Sequence, residues 1–127
     1  MITVTAAIIE KDGLILAARR NPGKHMAGHW EFPGGKLEEN ESPEECLKRE
    51  LREEFSITCQ IDAFFAESIY DYGEKTIKLL CYFVTHLEGI FLCRDHDRII
   101  WLPPAELEKL LWAPADIPLM QRLVRNR

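Results

Sequence analysis

The feature that most restricts the fold of this 127-residue chain is an acidic segment with strong helix signals. Eight glutamates but only three basic residues lie at positions 38–54, whereas the rest of the chain carries equal numbers of acidic and basic residues. Ser42 is a favourable N-cap, Pro43 suits the first helical position, and Glu45 completes a capping box with Ser42. An apolar stripe at helical spacing follows. The segment therefore predicts an α-helix that ends near Phe55.

Three carboxylates share one face of this predicted helix. Glu50, Glu53 and Glu54 are three and four residues apart, so their side chains project from the same side. Their mutual repulsion destabilises the helix, and so does their place at its carboxyl end, where the dipole disfavours negative charge. One interpretation is a solvated face compensated by Arg49 and Arg52. The other is a site for a hard divalent cation such as Mg²⁺ or Mn²⁺, which takes oxygen ligands.

A Pro-Gly-Gly turn at residues 33–35 stands just before the acidic segment. Two glycines allow the backbone to approach an ion or a phosphate closely, and the carbonyl of Gly35 can then serve as a ligand. Taken alone, the same three residues are explained by a plain tight turn. Their nearness to the acidic helix favours the cation site.

Strand-like and helical segments fill the rest of the chain. The strand predictions rest on β-branched and apolar runs bounded by turn residues. The predicted strands are 3–9, 14–17, 30–32, 57–69, 76–87 and 98–102, and the predicted helices are 43–55, 103–111 and 117–127. This mixture predicts a single α/β or α+β domain over residues 1–127.

Composition and charge exclude several classes of function. No apolar run approaches the ~20 residues of a membrane span, and the first ten residues lack the features of a signal peptide. No basic stripe supports binding to a nucleic-acid polymer. The four cysteines form no Cys-x-x-Cys pair and are interpreted as free thiols of a reducing compartment. We therefore expect a cytoplasmic protein, a monomer or a homodimer, whose partner is a small molecule.

The glycine turn and the acidic helix together resemble the Nudix box, the signature of the Nudix hydrolase family. That pattern is Gly-x5-Glu-x7-Arg-Glu-U-x-Glu-Glu-x-Gly-U, where U is an aliphatic residue. The matching residues are Gly35, Glu41, Arg49, Glu50, Leu51, Glu53, Glu54 and Ile57. One fixed position differs, because Ser56 stands where the pattern has glycine. That glycine ends the helix in a left-handed conformation, so we expect Ser56 to cost about 1 kcal/mol and to remove no ligand.

The resemblance implies the Nudix fold, a mixed β-sheet between α-helices, and hydrolysis of a nucleoside diphosphate linked to a further group. It implies that Glu50, Glu53 and Glu54 bind Mg²⁺ or Mn²⁺, with the Gly35 carbonyl as a further ligand. Either Glu50 or Glu53 would also act as the base on water. The metal would neutralise the pyrophosphate and favour deprotonation of that water.

Two more box residues receive supporting roles from the resemblance. Arg49 would orient a catalytic glutamate through a charge-assisted hydrogen bond, and Glu41 would support that contact. Outside the box, Asp95 stands six residues before Trp101 and is similar in position to an acidic metal ligand or alternative base.

The match extends to the MutT-like branch, with its CTP pyrophosphohydrolase and 8-oxo-dGTP diphosphatase members. Residues 30–37 resemble that branch, and Arg20 stands where it has a basic residue able to reach the triphosphate. Residues 113–118 correspond to the region that reads the base. Asp116 lies there, where the branch typically has asparagine. As an N-cap of the last helix it would have a structural role compatible with binding.

The charge of Asp116 decides which bases it can recognise. An ionised aspartate only accepts hydrogen bonds and so favours amino donors, such as N4 of cytosine or the several N–H groups of 8-oxoguanine. A protonated aspartate widens the choice again. Phe32 and Tyr72 are candidates to stack on the base, although aromatic residues beside strands are more often core. Lys75 is a candidate phosphate contact, although an exposed lysine commonly serves solubility.

Three functions remain open from the sequence. The first is hydrolysis of a nucleoside or deoxynucleoside triphosphate, such as 8-oxo-dGTP, CTP or 5-methyl-dCTP, to a monophosphate and pyrophosphate in nucleotide-pool sanitation. The second is another Nudix activity, such as hydrolysis of ADP-ribose. The third is a non-catalytic Nudix-fold module that binds nucleotides. The retained carboxylates disfavour the third, and the MutT-like flanks disfavour the second.

Overall fold

The computed structural model describes residues 1–126 and confirms the mixed α+β architecture. Its strands are β1 (Ile2–Lys11), β2 (Leu14–Arg20), β3 (Trp30–Glu31), β4 (Gly34–Lys36), β5 (Thr58–Asp71), β6 (Thr76–Glu88) and β7 (His96–Leu102). Its α-helices are α1 (Pro43–Phe55) and α2 (Ile117–Arg125), and two 3-10 segments are Pro104–Lys109 and Pro114–Asp116. No helix in the described chain is long and apolar enough to cross a lipid bilayer.

Strand β1 is the centre of a mixed sheet. Over residues 1–126 the main strand order is β3-β2-β1-β6-β5, while β4 pairs with β1 and β7 pairs with β2. β1 runs parallel to β6 and antiparallel to β2 and β4. In the β1–β4 pair, Gly34 lies opposite Ala6 and Gly35 opposite Thr5. The two glycines are therefore fixed by pairing with the central strand and do not lie in an unpaired loop.

The two faces of the sheet bury separate hydrophobic clusters. Successive residues of a strand point to opposite faces. Ala6 and Ile8 of β1 belong to a cluster with α2, and Ala7 and Ile9 belong to a cluster with α1. The sheet consequently lies between α1 on one face and α2 with the 3-10 segments on the other.

Helix α1 forms as its sequence predicts. The Ser42 hydroxyl accepts a hydrogen bond from the Glu45 N–H, and the Glu45 carboxylate accepts one from the Ser42 N–H, which completes the capping box. Leu47 and Leu51 are fully buried against the sheet, each contributing about 1.5–3 kcal/mol. Ser56 ends the helix in the left-handed conformation, at φ 59° and ψ 35°. The buried stripe turns the carboxylate-bearing face of α1 away from the core.

Two sequence predictions near the C-terminus need correction. The α-helix predicted at 103–111 is wrong in type, because Pro104–Lys109 forms a 3-10 segment. The Leu107 carbonyl accepts from Trp112 Nε1 at 2.7 Å and from the Leu110 N–H at 3.2 Å, so it does not bond to Leu111 as an α-helix requires. The helix predicted at 117–127 ends at Arg125, and residue 127 lies outside the described residues.

Candidate active site

Arg49 gathers the carboxylates of the acidic segment around one guanidinium group. Its Nε and Nη2 donate to Glu41 at 3.0 and 2.7 Å, and its Nη1 donates to Glu50 and Glu53 at 3.0 Å each. The hydrogen bonds from Arg49 lower the pKa of Glu41 to about 2. The cation offsets the repulsion that three neighbouring carboxylates would otherwise create. The structure thus brings the four predicted catalytic residues into one hydrogen-bonded group.

Glu50 lies directly against the glycine turn. A Cβ atom built on Gly35 would come within 2.1 Å of Glu50 Cδ, so the carboxyl group occupies the space that a side chain at position 35 would need. The Gly35 carbonyl accepts a hydrogen bond from the Thr5 hydroxyl at 3.2 Å. Burial raises the pKa of Glu50, although Arg49 opposes the shift. A backbone carbonyl and a desolvated carboxylate are therefore neighbours, and both are hard oxygen donors.

Glu54 and Asp95 form a second acidic pair beside the first. Glu54 Oε2 is buried and has no hydrogen-bond partner. Burial, followed by the effects of Asp95, raises the pKa of Glu54 to about 7. The pKa of Asp95 is lowered, first by its hydrogen bond with Glu54 and further by Lys24, whose Nζ lies 3.3 Å from Oδ1. The nearness of the two carboxyl groups thus favours the protonated form of Glu54 and the ionised form of Asp95.

These residues fit a hard divalent cation. Glu54 Oε2 has no hydrogen-bond partner within residues 1–126, and a cation would supply one. Glu50 lies against Gly35, whose carbonyl is a further oxygen donor. Among residues 1–126, no three acidic, histidine or cysteine side chains converge closely enough to hold an ion by themselves. An ion here would accordingly keep several waters, as Mg²⁺ commonly does. Glu53, more exposed than the others, is held by Arg49 alone.

A cavity of about 280 Å³ adjoins this group of carboxylates. Its lining includes Gly34, Gly35 and Lys36, and Gly35 connects it to Glu50. The five residues predicted to bind substrate also line it: Arg20, Phe32, Tyr72, Lys75 and Asp116. Residues distant in the sequence thus meet in one cleft next to the Nudix-box side chains. The cleft is positioned for one end of a molecule whose other end reaches the carboxylates.

The aromatic and cationic residues that line the cavity differ in how accessible their side chains are to a ligand. Phe32 is only 3% exposed and packs against Trp112 with ring centroids 4.7 Å apart. The Tyr72 hydroxyl accepts from the Ala115 N–H at 3.1 Å, which ties β5 and its following turn to the C-terminal segment. Lys75 is exposed. Phe32 is consequently part of the packed wall, whereas Lys75 is accessible to a charged group.

Asp116 is the most buried acid in the cavity. Its Oδ2 accepts from the Phe32 N–H at 3.0 Å, and it makes no capping hydrogen bond to α2. Burial raises the pKa of Asp116 well above its usual range, and the negative charge of Glu31 adds to that shift. The shift favours the neutral acid, which can donate one hydrogen bond as well as accept. Asp116 stands at the N-cap position of α2, as the sequence predicts, but its carboxyl group is turned to Phe32 and does not cap the helix.

Sequence reasoning missed two residues, Glu31 and His96. Glu31 accepts from Arg20 Nη1 through both carboxylate oxygens, at 3.1 and 3.0 Å, and its Oε2 lies 2.7 Å from His96 Nε2. Arg20 also donates to the His25 carbonyl, so its guanidinium is occupied within the protein. A charged residue between Trp30 and Phe32 is the signal that could have drawn attention to Glu31. The His96 contact needs the β2–β7 pairing, which the sequence does not reveal.

Comparison with known families matches residues 1–123 to the NUDIX domain. The chain belongs to the Nudix family. It is 39% identical over 127 residues to CTP pyrophosphohydrolase of Escherichia coli K12, covering 100% of this chain and 94% of that protein. It is 33% identical over 127 residues to 8-oxo-dGTP diphosphatase of Haemophilus influenzae, covering 99% and 93%. The predicted family and hydrolase class are thereby confirmed, and Nudix hydrolases generally use divalent metal ions.

Solved structures give the same fold. The solution structure of the Escherichia coli ORF135 protein matches with a TM-score of 0.85 and 40% identity, covering 95% of this chain and 86% of that one. The crystal structure of a MutT protein from Methanosarcina mazei Go1 matches with a TM-score of 0.87 at 23% identity, covering 98% and 94%. The second likeness concerns the fold alone. The predicted Nudix fold, a mixed sheet between helices, is confirmed.

Proposed function

We propose that this Nudix hydrolase cleaves a nucleoside or deoxynucleoside triphosphate to a monophosphate and pyrophosphate. The observation that carries the proposal is that Gly35, which lies against Glu50, also lines the cavity that contains all five predicted substrate-binding residues. The names of the full-length relatives, a CTP pyrophosphohydrolase and an 8-oxo-dGTP diphosphatase, support a triphosphate substrate. We assign the whole chain to a single catalytic domain.

The metal-binding role falls to the oxygen donors around Gly35. We assign Mg²⁺, with Mn²⁺ as an alternative, to Glu50, Glu53, Glu54, Asp95 and the Gly35 carbonyl. Because no three of the acidic side chains within residues 1–126 converge on one point, water molecules would link some of them to the ion. When bound, the ion supplies positive charge that neutralises the pyrophosphate and makes water easier to deprotonate. The unpartnered oxygen of Glu54 and the close packing of the Glu50 carboxyl group against Gly35 support this assignment.

We assign the general base to Glu53. Its side chain is 58% exposed, so water reaches it, whereas the Glu50 carboxylate is only 14% exposed and lies against Gly35. Arg49 donates to both groups and to Glu41, which fixes the direction of each carboxylate. Glu41 in turn acts through Arg49 and holds its guanidinium in place.

The base of the nucleotide is assigned to the end of the cavity that contains Asp116. A neutral carboxyl group donates and accepts at once, which suits a base edge where a donor stands beside an acceptor. Cytosine has such an edge at N4 and N3, and 8-oxoguanine has others, so both substrates fit. Glu31 adds a further acceptor, which Arg20 and His96 hold in place. Tyr72 and Lys75 then contact the base and a phosphate.

The proposal includes the setting in which the protein works. Its partner is a small nucleotide, and we expect neither nucleic-acid polymers nor membranes to bind. The unpaired thiols of Cys46, Cys59, Cys81 and Cys93 are typical of a reducing compartment and support a cytoplasmic location. We expect a monomer or a homodimer that removes damaged or surplus nucleotides from the pool.

A substrate panel tests the proposal. Purified protein with Mg²⁺ is incubated separately with 8-oxo-dGTP, CTP, 5-methyl-dCTP, dGTP and ADP-ribose, and the products are resolved by ion-exchange chromatography. Glu53→Gln is the inactive control, and Glu39→Gln is a matched exposed carboxylate that should not change turnover. We expect one triphosphate to yield its monophosphate. Cleavage of ADP-ribose alone would favour a different Nudix activity, and no cleavage at all would favour a binding module.

A further inference from the structure

Ser56 makes a contact that the glycine of the Nudix box cannot make. Its hydroxyl accepts a hydrogen bond from Arg94 Nη1 at 2.9 Å, and the same guanidinium donates to the Glu53 carbonyl at 2.5 Å. Arg94 therefore binds two oxygens at the carboxyl end of α1, where backbone carbonyls lack helical partners. Ser56 keeps this contact although a left-handed conformation disfavours any residue with a Cβ atom.

The segment that carries Arg94 is tied down on both sides. On one side the Leu92 N–H donates to the Phe55 carbonyl at 3.0 Å. On the other side Asn21 Nδ2 donates to the Arg94 carbonyl at 3.0 Å, and the Asn21 N–H donates to the Asp95 carbonyl at 3.3 Å. The backbone at residues 92–95 is thus clamped between the end of α1 and the loop that follows β2.

The residue that this clamp positions is Asp95. Its carboxyl group pairs with that of Glu54, which has one oxygen, Oε2, buried without a protein partner within residues 1–126. Glu54 belongs to the same α1 terminus that Arg94 grips. The distance between the two acids consequently depends on how firmly residues 92–95 are held against α1.

We propose that Ser56 and Arg94 form a clasp that positions Asp95 beside Glu54 and thereby strengthens divalent-metal binding by this chain. The inference rests on the metal site of the proposed function, and it adds two positioning residues that lie outside the ligand set. Neither side chain is a candidate ligand, because Arg94 is a cation and the Ser56 hydroxyl faces Arg94.

The clasp is tested by calorimetric titration of the nucleotide-free protein with Mn²⁺ alone. We expect Ser56→Ala to weaken Mn²⁺ binding by about three- to fivefold, as the loss of one exposed hydrogen bond implies. Arg94→Ala should weaken it at least as much, because it removes the contacts to both Ser56 and the Glu53 carbonyl. The matched control is Arg98→Ala, which removes an exposed arginine on β7. This variant should bind Mn²⁺ like the wild type.

Ser56→Gly separates metal affinity from stability. Both Ser56 variants lack the hydroxyl, but only glycine relieves the left-handed backbone, so Ser56→Gly should unfold at a higher temperature than Ser56→Ala. The clasp requires the two variants to bind Mn²⁺ equally weakly in spite of that difference. If Mn²⁺ affinity instead follows the unfolding temperature, the contact is merely structural and the proposal is overturned.

A second cycle tests whether the effect passes through Asp95. In an Asp95→Asn background, Ser56→Ala should cause no further loss of Mn²⁺ affinity, because the group that the clasp positions is already impaired. An undiminished loss in that background would overturn the clasp. If the wild-type protein binds no Mn²⁺, the metal site and the clasp fail together. If it binds and the Ser56 and Arg94 variants bind equally well, only the clasp fails.

Discussion

Replacing Gly35 with alanine should greatly reduce activity while leaving the protein folded. The added Cβ would lie 2.1 Å from Glu50 Cδ and 2.3 Å from Glu50 Oε2. A comfortable contact between carbon atoms is about 3.5 Å, so the Glu50 carboxyl group must move by roughly 1.4 Å. Because Glu50 is the end of a flexible side chain, it can move without unfolding the sheet. The φ angle of Gly35 is not in the left-handed region, so alanine introduces no backbone strain there.

The size of the effect follows from that displacement. A misplacement of about 1 Å in a catalytic site can reduce the rate about a hundredfold, and we expect a loss of that order in kcat for Gly35→Ala. The expected loss in the free energy of unfolding is only about 1 kcal/mol, at the low end for overpacked sites. Steady-state kinetics with Mg²⁺ and urea denaturation measure the two quantities on the same preparation.

Replacing the neighbouring Gly34 with alanine is the comparison for Gly35→Ala. A Cβ on Gly34 would lie 1.9 Å from the Thr5 backbone oxygen, and the β1–β4 pairing leaves that strand nowhere to move. Gly34→Ala should therefore destabilise the fold by about 3 kcal/mol or more. Near-normal kcat in Gly35→Ala would refute the inference that Glu50 must remain against the glycine turn, and so would equal destabilisation by the two substitutions.

Three further predictions concern the charged residues of the site. Arg49→Lys should lower kcat about ten- to hundredfold with a smaller change in KM, because lysine cannot hold Glu41, Glu50 and Glu53 together. Glu41 is ionised in the fold at a pKa of about 2, below its ordinary value of 4.5, so its stabilisation is present above pH 4.5 and lost as the pH falls towards 2. Melting curves of Glu41→Gln should accordingly differ from the wild type at pH 7 and converge with it near pH 2. The pKa of Asp116 is raised, so ionisation destabilises the fold as the pH rises above 3.8, and Asp116→Asn should match the wild type near pH 4 but melt at a higher temperature in alkali.

Local sequence signals predicted the catalytic helix well. The capping box of Ser42 and Glu45 depends on contacts within four residues, and the carboxylates at positions 50, 53 and 54 share a face through helix periodicity alone. The left-handed conformation of Ser56 followed from its place in the motif. These features need no knowledge of the sheet, and the structure contains each of them.

Features that depend on pairing between strands distant in the sequence were harder to predict from the sequence. Strand β4 is three residues long and exists because β1 offers Gly34 and Gly35 a partner, and a run so short has no detectable period. The Glu31–His96 contact forms only after β3 and β7 pair on either side of β2. The raised pKa of Asp116 results from its burial, which its place in the sequence does not disclose.

The proposed chemistry is tested most directly by identifying the bond that breaks. Phosphorus NMR of the reaction of CTP or 8-oxo-dGTP with Mg²⁺ distinguishes pyrophosphate from orthophosphate as the released product. We predict pyrophosphate and the nucleoside monophosphate from the wild-type protein, and neither from Glu53→Gln. Release of orthophosphate with a nucleoside diphosphate would contradict the mechanism, and equal turnover by Glu53→Gln would contradict the assignment of the base.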